Sequence, residues 1–225
     1  MADVLNRDEW ERKLARLFGN HSMIERRELL KLLGNPPNMA NVPFSFWLNS
    51  GAVLAKLVEP VMFDVYIQQA FALMEDVSIS IEWDIVNQQA ADWARRYTRD
   101  FARSIEGNTQ KGVGEAVASF FEDEMTIGDL EKRISRWYSP ARAEMVSVTE
   151  VTRAASEGEQ QTAAEIMRDN PDIEMIPIWQ TENDELVCPI CGPRHNKVID
   201  DNVFPPAHPR CRCWVTYEAR LRAGI

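Results

Sequence analysis

Long apolar runs and a secretory leader are the first features that the 225-residue sequence lacks. The most apolar stretch, residues 52–63, is interrupted by Lys56, Glu59 and Pro60. It falls far short of the roughly 20 apolar residues that a membrane span needs. The N-terminal MADVLNRDEWERK is charged and has no apolar core, unlike a secretory signal. We therefore expect a soluble protein that folds in a reducing cytoplasm and makes no membrane contact.

Basic residues are also in short supply, with 25 Lys and Arg against 35 Asp and Glu and a net charge of −10. Affinity for nucleic-acid phosphates depends on clustered Lys and Arg, which release counterions on binding. The acidic balance therefore argues against non-specific binding to DNA or RNA. The 45% of hydrophobic residues is enough to form the core of one large domain or two small ones.

Helical patterns fill roughly the first 170 residues. Apolar residues at helical spacing predict helices over residues 22–34, 44–74, 83–105 and 108–124. Pro60 is expected to kink or break the second helix, because an interior proline removes a backbone hydrogen bond. Gly107 is expected to end the third, and Asn108 or Thr109 to cap the fourth.

Two more helices have clear N-terminal signals. Thr126, with Asp129 three residues later, is close to a capping box. Ser139 followed by Pro140 predicts an N-cap and first helical residue, with the helix reaching about Asp169. After Pro171 the pattern changes, and IEMIPIWQT and CRCWVTYEA are typical of strands.

Cysteine is rare, and all four cysteines lie near the C-terminus together with two of the three histidines. The order is C-x2-C, sixteen residues, H-x2-C and then C after one residue. Two pairs of soft ligands at this separation are typical of a structural zinc site built from two tight turns. The candidate metal ligands are Cys188, Cys191, His208, Cys211 and Cys213.

Zinc takes four ligands, so the fourth position stays open between two of the five candidates. His208 restores the x2 spacing and is slightly favoured. Cys213 lies two residues after Cys211, and on a strand both side chains would share one face. His195 is a weaker candidate. Because thiolate-rich zinc sites are normally closed, the metal is expected to brace a module that is too small to fold on its own core.

Other interpretations of the cysteines fit the sequence less well. They include buried thiols without metal, disulfides and redox chemistry. A thioredoxin-like site needs a helix after its first cysteine, and Gly192-Pro193 works against one. A zinc deaminase needs an H-x-E motif, but His21 is followed by Ser22 and Met23.

The E-x-E pair in SEGE, residues 156–159, is expected to lie on a solvated helix face. We therefore expect no enzyme and no catalytic residues.

The predicted fold class is α+β, with a mainly helical body followed by a small β-rich C-terminal module that is expected to be braced by zinc. Its predicted domains are an N-terminal helical region at 1–78, a second helical part at 79–171 and the β-rich module with the Cys/His cluster at 172–225.

Three segments together resemble a known family: SRWYSPARAEMVSVTEVTRAASEGE, then IWQTENDELVCPICGPRHNKVIDD, then FPPAHPRCRCWV. They are similar to the phage Mu F-like head morphogenesis family, also called minor head proteins, over roughly residues 80–216. The matching positions are Arg142, Thr149, Glu150, Trp179, Thr181, Asp184, Val187, Pro205, Pro206, His208, Pro209, Cys211, Arg212 and Cys213.

The resemblance implies a phage or prophage virion protein of few copies, located in the capsid interior or at the portal vertex. It implies action near the portal during procapsid assembly in the host cytoplasm, with DNA packaging or ejection as secondary roles. The implied partners are the portal and other capsid proteins, with packaged DNA contacted only indirectly and no small-molecule substrate. The alternatives are a zinc-containing toxin-like or hydrolytic effector enzyme and a zinc-ribbon nucleic-acid-binding module.

Overall fold

The computed structural model describes residues 4–182 and 187–222. Within these residues, the five α-helices are α1 Arg7–Leu33, α2 Phe44–Val77, α3 Trp83–Glu122, α4 Ile127–Ser135 and α5 Pro140–Asp169. The three strands in the same residues are β1 Ile173–Gln180, β2 Lys197–Val198 and β3 Trp214–Leu221. The predicted order of a helical body followed by a small β-rich segment is therefore confirmed. Across these described ranges, no helix is long and apolar enough to cross a membrane.

Three helices are longer than the sequence predicted. α1 begins at Arg7, well before Ser22. α2 continues through Pro60, so the helix does not break there, and the alternative of a kink stays a prediction. Pro60 is exposed, whereas Val58 and Val61 beside it are buried. A mid-helix proline costs about 3 kcal/mol, and burial of two or more large apolar side chains offsets that amount.

The predicted boundary at Gly107 is also wrong, because α3 is continuous from Trp83 to Glu122. An interior glycine costs only about 1 kcal/mol relative to alanine, which is too little to end a helix whose flanking turns are buried. Thr109, a predicted cap, is instead a buried helical residue whose hydroxyl donates to Ile105 O at 2.7 Å.

The two helix starts with specific polar signals are confirmed. Thr126 Oγ1 accepts from Asp129 N at 3.2 Å, and Thr126 N donates to Asp129 Oδ2 at 3.2 Å, which completes a capping box at α4. At α5, Arg142 N donates to Ser139 Oγ at 3.2 Å, and Pro140 is the first helical residue. Local side-chain chemistry therefore fixed these two starts.

The sheet is antiparallel, with the strand order β2-β1-β3. β1 pairs with β3 along its whole length, and Trp179 lies opposite Val215. Trp179 is 1% exposed and packs with Val215 and with Cys191, Cys211 and Cys213. β3 begins at Trp214, so Cys211 and Cys213 lie just before the strand that was predicted to contain them.

The chain groups into two compact units. The first unit comprises Met1–Glu11, Val61–Ala94 and Met145–Ile225, and the second comprises Arg12–Pro60 and Arg95–Glu144. One core of the first unit contains Leu73, Ala163, Ile166 and Met175. The core of the second unit contains Leu29, Leu33, Val42, Trp47, Val113, Ala116, Val117, Leu130 and Ile134. The three-part division into 1–78, 79–171 and 172–225 stays a prediction.

Candidate metal centre

The first cysteine pair sits on a tight turn of the first unit. Cys191 N donates to Cys188 O at 3.1 Å, and Gly192 N donates to the same carbonyl at 3.0 Å. Cys191 N also lies 3.4 Å from Cys188 Sγ and donates to it. The turn therefore points both sulfurs to one side and supplies a backbone N–H that stabilises a thiolate at Cys188.

The second ligand pair sits on a similar turn. Cys211 N donates to His208 O at 3.2 Å, and the intervening Arg210 has a φ of 62°, in the left-handed region. The N–H of Arg210 donates to Thr149 Oγ1 on α5 at 2.9 Å. An unusual backbone conformation is thus held by a side chain that is 61 residues away in sequence.

The two turns bring all five predicted ligands together. Cys188 Sγ and Cys191 Sγ lie 3.0 Å and 3.2 Å from His208 Nε2, and Cys191 Sγ lies 3.8 Å from Cys211 Sγ. The ligand atoms form two groups, each within 4.8 Å: Cys188, Cys191 and His208, and Cys191, Cys211 and Cys213. Cys191 is common to both groups. These side chains could hold a metal ion.

His195, the weaker candidate, belongs to neither group. Its Nδ1 lies 3.2 Å from the backbone nitrogen of Thr181 and accepts a hydrogen bond from it. The imidazole therefore helps to hold the end of β1. Asp184, one of the positions that match the family motif, lies outside the described residues.

His208 is oriented as a metal-binding imidazole. Its Nδ1 lies 2.8 Å from Pro209 O. A carbonyl can only accept, so Nδ1 carries the hydrogen and the neutral ring leaves its Nε2 lone pair free. That Nε2 is the atom that faces Cys188 Sγ and Cys191 Sγ. A backbone carbonyl that fixes the tautomer in this way is typical of metal-bound histidines.

The thiols differ strongly in acidity because they share protons. A hydrogen bond from Cys213 lowers the pKa of Cys211 to about 5. The same hydrogen bond, together with burial, raises the pKa of Cys213. Burial and the negative charge of Cys211 raise the pKa of Cys191 to about 12. In a low-dielectric pocket several thiolates repel one another, and a bound cation removes that repulsion.

Helices α5 and α1 support the second turn. Thr152 Oγ1 donates to Cys211 O at 2.9 Å and accepts from Arg7 Nη1 at 2.8 Å. Arg7 Nη2 donates to Arg212 O at 3.1 Å. Thr149 and Thr152 are three residues apart and so lie on one face of α5. Sequence reasoning missed these supporting roles, because only the folded chain brings α1 and α5 to the turn.

The charged residues around the cluster are paired. Arg212 Nη2 lies 2.9 Å from Asp8 Oδ1, and Arg212 Nε lies 3.5 Å from Glu11 Oε1. The guanidinium carbon of Arg194 lies 5.1 Å from the centroid of the Trp179 ring, and Arg194 Nη2 lies 2.7 Å from Asp201 Oδ2. These arginines are therefore bound to acidic or aromatic groups of the same unit.

The two glutamates of the E-x-E pair differ: Glu157 is half-exposed, whereas Glu159 does not lie on the expected solvated face. Glu159 is 1% exposed and accepts a hydrogen bond from Gln69 Nε2 at 2.8 Å. Gln69 Oε1 in turn accepts from Leu5 N at 3.3 Å. Buried glutamates need such partners, and here the amide links α5 to α2. Glu159 therefore has a packing role within the first unit.

Comparison with known families bears directly on this region. Residues 111–216, from α3 to β3, match the family described as Phage Mu protein F like protein. The resemblance of the sequence to the phage Mu F-like family is confirmed. The Phage Mu protein F like region contains all five candidate ligands, as well as Thr149 and Thr152. Neither a curated protein nor a solved structure shows significant similarity to the chain.

The family indicates phage head morphogenesis, and hence work alongside other capsid proteins during virion assembly. One matching position, Arg142, belongs to the second unit. There it donates to Trp137 O and to Thr109 Oγ1, and its guanidinium lies 5.2 Å from the Trp137 ring centroid. Arg142 thus ties the start of α5 to α3 and to the turn before α5.

Proposed function

We propose that this chain is a minor head protein that acts in procapsid assembly near the portal, and that its cysteine cluster binds one structural zinc ion. The match of residues 111–216 to the phage Mu F-like family carries the first half of the proposal. The convergence of four sulfurs and one imidazole carries the second. A role in DNA packaging or ejection would follow from the same location.

Zinc is the cation that suits this donor set. Thiolates and imidazole favour zinc, whereas magnesium and calcium require oxygen ligands. Around a tetrahedral zinc with Zn–S bonds of about 2.3 Å, two sulfurs stand about 3.8 Å apart. The Cys191–Cys211 sulfur separation is 3.8 Å, so these two thiolates already have the spacing that a zinc ion needs.

A structural role is favoured over catalysis. Catalytic zinc keeps one position open for water, whereas five candidate side chains here compete for four positions. The support from Thr149, Thr152 and Arg7 also goes to the backbone of the second turn. The arrangement would hold β1, β3 and the two turns against α5, which is the kind of rigid surface that docking on a portal or capsid protein requires.

Replacing Cys188 with Ser tests both halves of the proposal. We expect the variant to lose the zinc of the cysteine cluster, to keep its far-UV helix content and to fail to enter heads in a phage complementation assay. Ile190→Ser is a matched control, because Ile190 lies in the same turn, is 59% exposed and is not a ligand. The control should keep the one zinc of its cysteine cluster and enter heads normally. A pull-down with purified portal should retain wild type and control and lose Cys188→Ser.

Two results would count against the proposal. Protein that was never exposed to chelator and contains no zinc would refute the metal site. Normal head incorporation of a zinc-free Cys188→Ser protein would show that the braced region is dispensable for assembly, and would favour an effector that acts after delivery. A role in nucleic-acid binding would instead appear as salt-dependent DNA retention by wild type that is lost in the variant.

A further inference from the structure

The second unit contains a buried cluster of acidic and imidazole groups that lies outside the cysteine site. His21 and Glu25 are one helical turn apart on α1, Ser50 is on α2 and Glu106 is on α3. His21, Glu25 and Glu106 are all buried, with 8%, 5% and 4% of their surface exposed. Buried carboxylates are rare unless they are paired or bind a cation, so the cluster needs a physical explanation.

The side chains point their polar atoms at one another. His21 Nε2 lies 3.3 Å from Glu25 Oε2 and 3.7 Å from Glu106 Oε1. All three groups offer a ligand atom within 4.8 Å of the other two. Ser50 Oγ donates to Glu25 Oε2 at 2.6 Å and lies 3.0 Å from His21 Nε2. Tyr138 donates its hydroxyl to Glu25 Oε1 at 2.7 Å.

Glu106 is the member of the cluster whose buried carboxylate lacks close hydrogen-bond partners. Within the described residues, both of its carboxylate oxygens are fully buried and neither has a hydrogen-bond partner. Its nearest cationic group, His21, is at ion-pair distance and beyond hydrogen-bond distance. A Cβ added at Gly51 would lie 3.2 Å from Glu106 Cγ, so the glycine leaves the space that this side chain occupies. The carboxylate therefore interacts with His21 and Glu25 only at longer range, and burial raises its pKa to about 7.

The nearby guanidinium of Arg142 makes its hydrogen bonds to groups other than these carboxylates. Arg142 acts electrostatically on Glu25 and Glu106, but its hydrogen bonds go to Trp137 O, Thr109 Oγ1 and Ile105 O. One histidine therefore faces two carboxylates. A divalent cation would balance both negative charges and would supply a partner for each Glu106 oxygen that binds it.

We propose that His21, Glu25 and Glu106 form a second metal site, which binds a first-row divalent cation such as zinc. Around a tetrahedral ion with bonds of about 2.0–2.1 Å, ligand atoms stand about 3.4 Å apart. The observed separations from His21 Nε2 are 3.3 Å and 3.7 Å. One imidazole and two carboxylates are ligands that such ions accept. Ser50 and Tyr138 orient Glu25 as hydrogen-bonded supports.

An access route reaches the cluster from solvent. A groove in the second unit is lined by His21, Glu25 and Ser50 together with Phe46 and Val53. Val53 is 51% exposed, so the groove opens at the protein surface. Three protein ligands leave a position on the ion for water or for a carboxylate or phosphate oxygen from the groove. This site thus differs from the thiolate cluster in its donor atoms and in the number of protein ligands that it offers.

Cobalt(II) titration of metal-free wild-type protein tests the proposal. Binding to thiolates gives intense near-ultraviolet sulfur-to-metal absorption, whereas binding to imidazole and carboxylate gives only weak visible bands. We expect two ions per chain, one with each signature. Glu106→Gln, which keeps the size of the side chain, should weaken the second by at least about tenfold and leave the thiolate signal unchanged. Zinc counting by native mass spectrometry should give the same stoichiometries.

Glu28→Gln is the control, because Glu28 lines the same groove and loses the same charge but is not in the cluster. It should retain both ions. An unchanged far-UV spectrum and thiolate signal in Glu106→Gln would exclude misfolding as the cause of its loss. Wild type that binds only the thiolate-type ion would overturn the proposal and identify an internal ionic network without metal. Retention of both ions by Glu106→Gln would overturn it as well. Either result leaves the cysteine site untouched.

Discussion

Replacing Thr152 with Val tests whether α5 and α1 hold the second turn of the cysteine cluster. Thr152 is buried, and its hydroxyl donates to Cys211 O at 2.9 Å and accepts from Arg7 Nη1 at 2.8 Å. Valine has a similar shape but no hydroxyl, so both hydrogen bonds are lost. A neutral hydrogen bond contributes about 1 kcal/mol and one from a charged donor about 1.5–3 kcal/mol. Arg7 retains its bond to Arg212 O, so we expect a loss of about 2–3 kcal/mol.

Thermal unfolding of zinc-loaded protein gives the measurement. For a chain of this size, about 2–3 kcal/mol corresponds to a midpoint lower by about 4–12 °C. Zinc should also pass to a competing chelator more readily, because the turn that carries Cys211 is less well held. Thr162→Val is the control, since Thr162 is buried on the same helix ten residues further on, about 15 Å away. Equal midpoints and equal zinc affinities for the two variants would refute the reasoning.

Two further predictions concern the fourth zinc ligand and the packing of the first unit. His208→Ala should lower zinc affinity more than Cys213→Ser in a chelator competition, and the reverse order would assign the position to Cys213. Gly158→Ala should destabilise the protein by about 1–3 kcal/mol, because the new Cβ would lie 2.5 Å from the backbone oxygen of Tyr66. Gly107→Ala, where no atom lies within 4 Å of the new Cβ, should stabilise it by up to about 1 kcal/mol in the same denaturation experiment.

Features with a local chemical cause could be predicted from the sequence. Thr126 and Asp129 form their capping box, and Ser139 with Pro140 begins α5, because each signal depends on neighbours within four residues. β1 was recognisable from its alternation. The two ligand turns were predictable as well, since short C-x2-C and H-x2-C spacings leave few ways to direct both side chains to one point.

Features that depend on tertiary packing could not be predicted in this way. Pro60 and Gly107 are valid helix breakers locally, but the burial of residues around them outweighs their cost. The contact of Arg7 with Thr152 joins residues 145 positions apart, and no spacing rule anticipates it. In the sequence, nothing distinguishes Glu106 from a surface glutamate of α3. Its position depends on the tertiary contact with Gly51 of α2, which only the fold creates.

The contacts that His208 and Cys213 make with the other three candidate ligands indicate which of the two is the fourth zinc ligand. His208 Nε2 lies 3.0 Å and 3.2 Å from the sulfurs of Cys188 and Cys191, and a backbone carbonyl holds its other nitrogen. Cys213 Sγ is grouped with the sulfurs of Cys191 and Cys211 but not with Cys188 or His208, and its hydrogen bond lowers the pKa of Cys211. A side chain that hydrogen-bonds to a metal ligand changes the basicity of that ligand and need not bind the metal itself. Serine can donate the same hydrogen bond, so Cys213→Ser should keep its zinc, whereas His208→Ala leaves one corner of the tetrahedron empty. A cobalt(II) complex that loses one thiolate's share of near-ultraviolet absorption in Cys213→Ser would contradict this assignment.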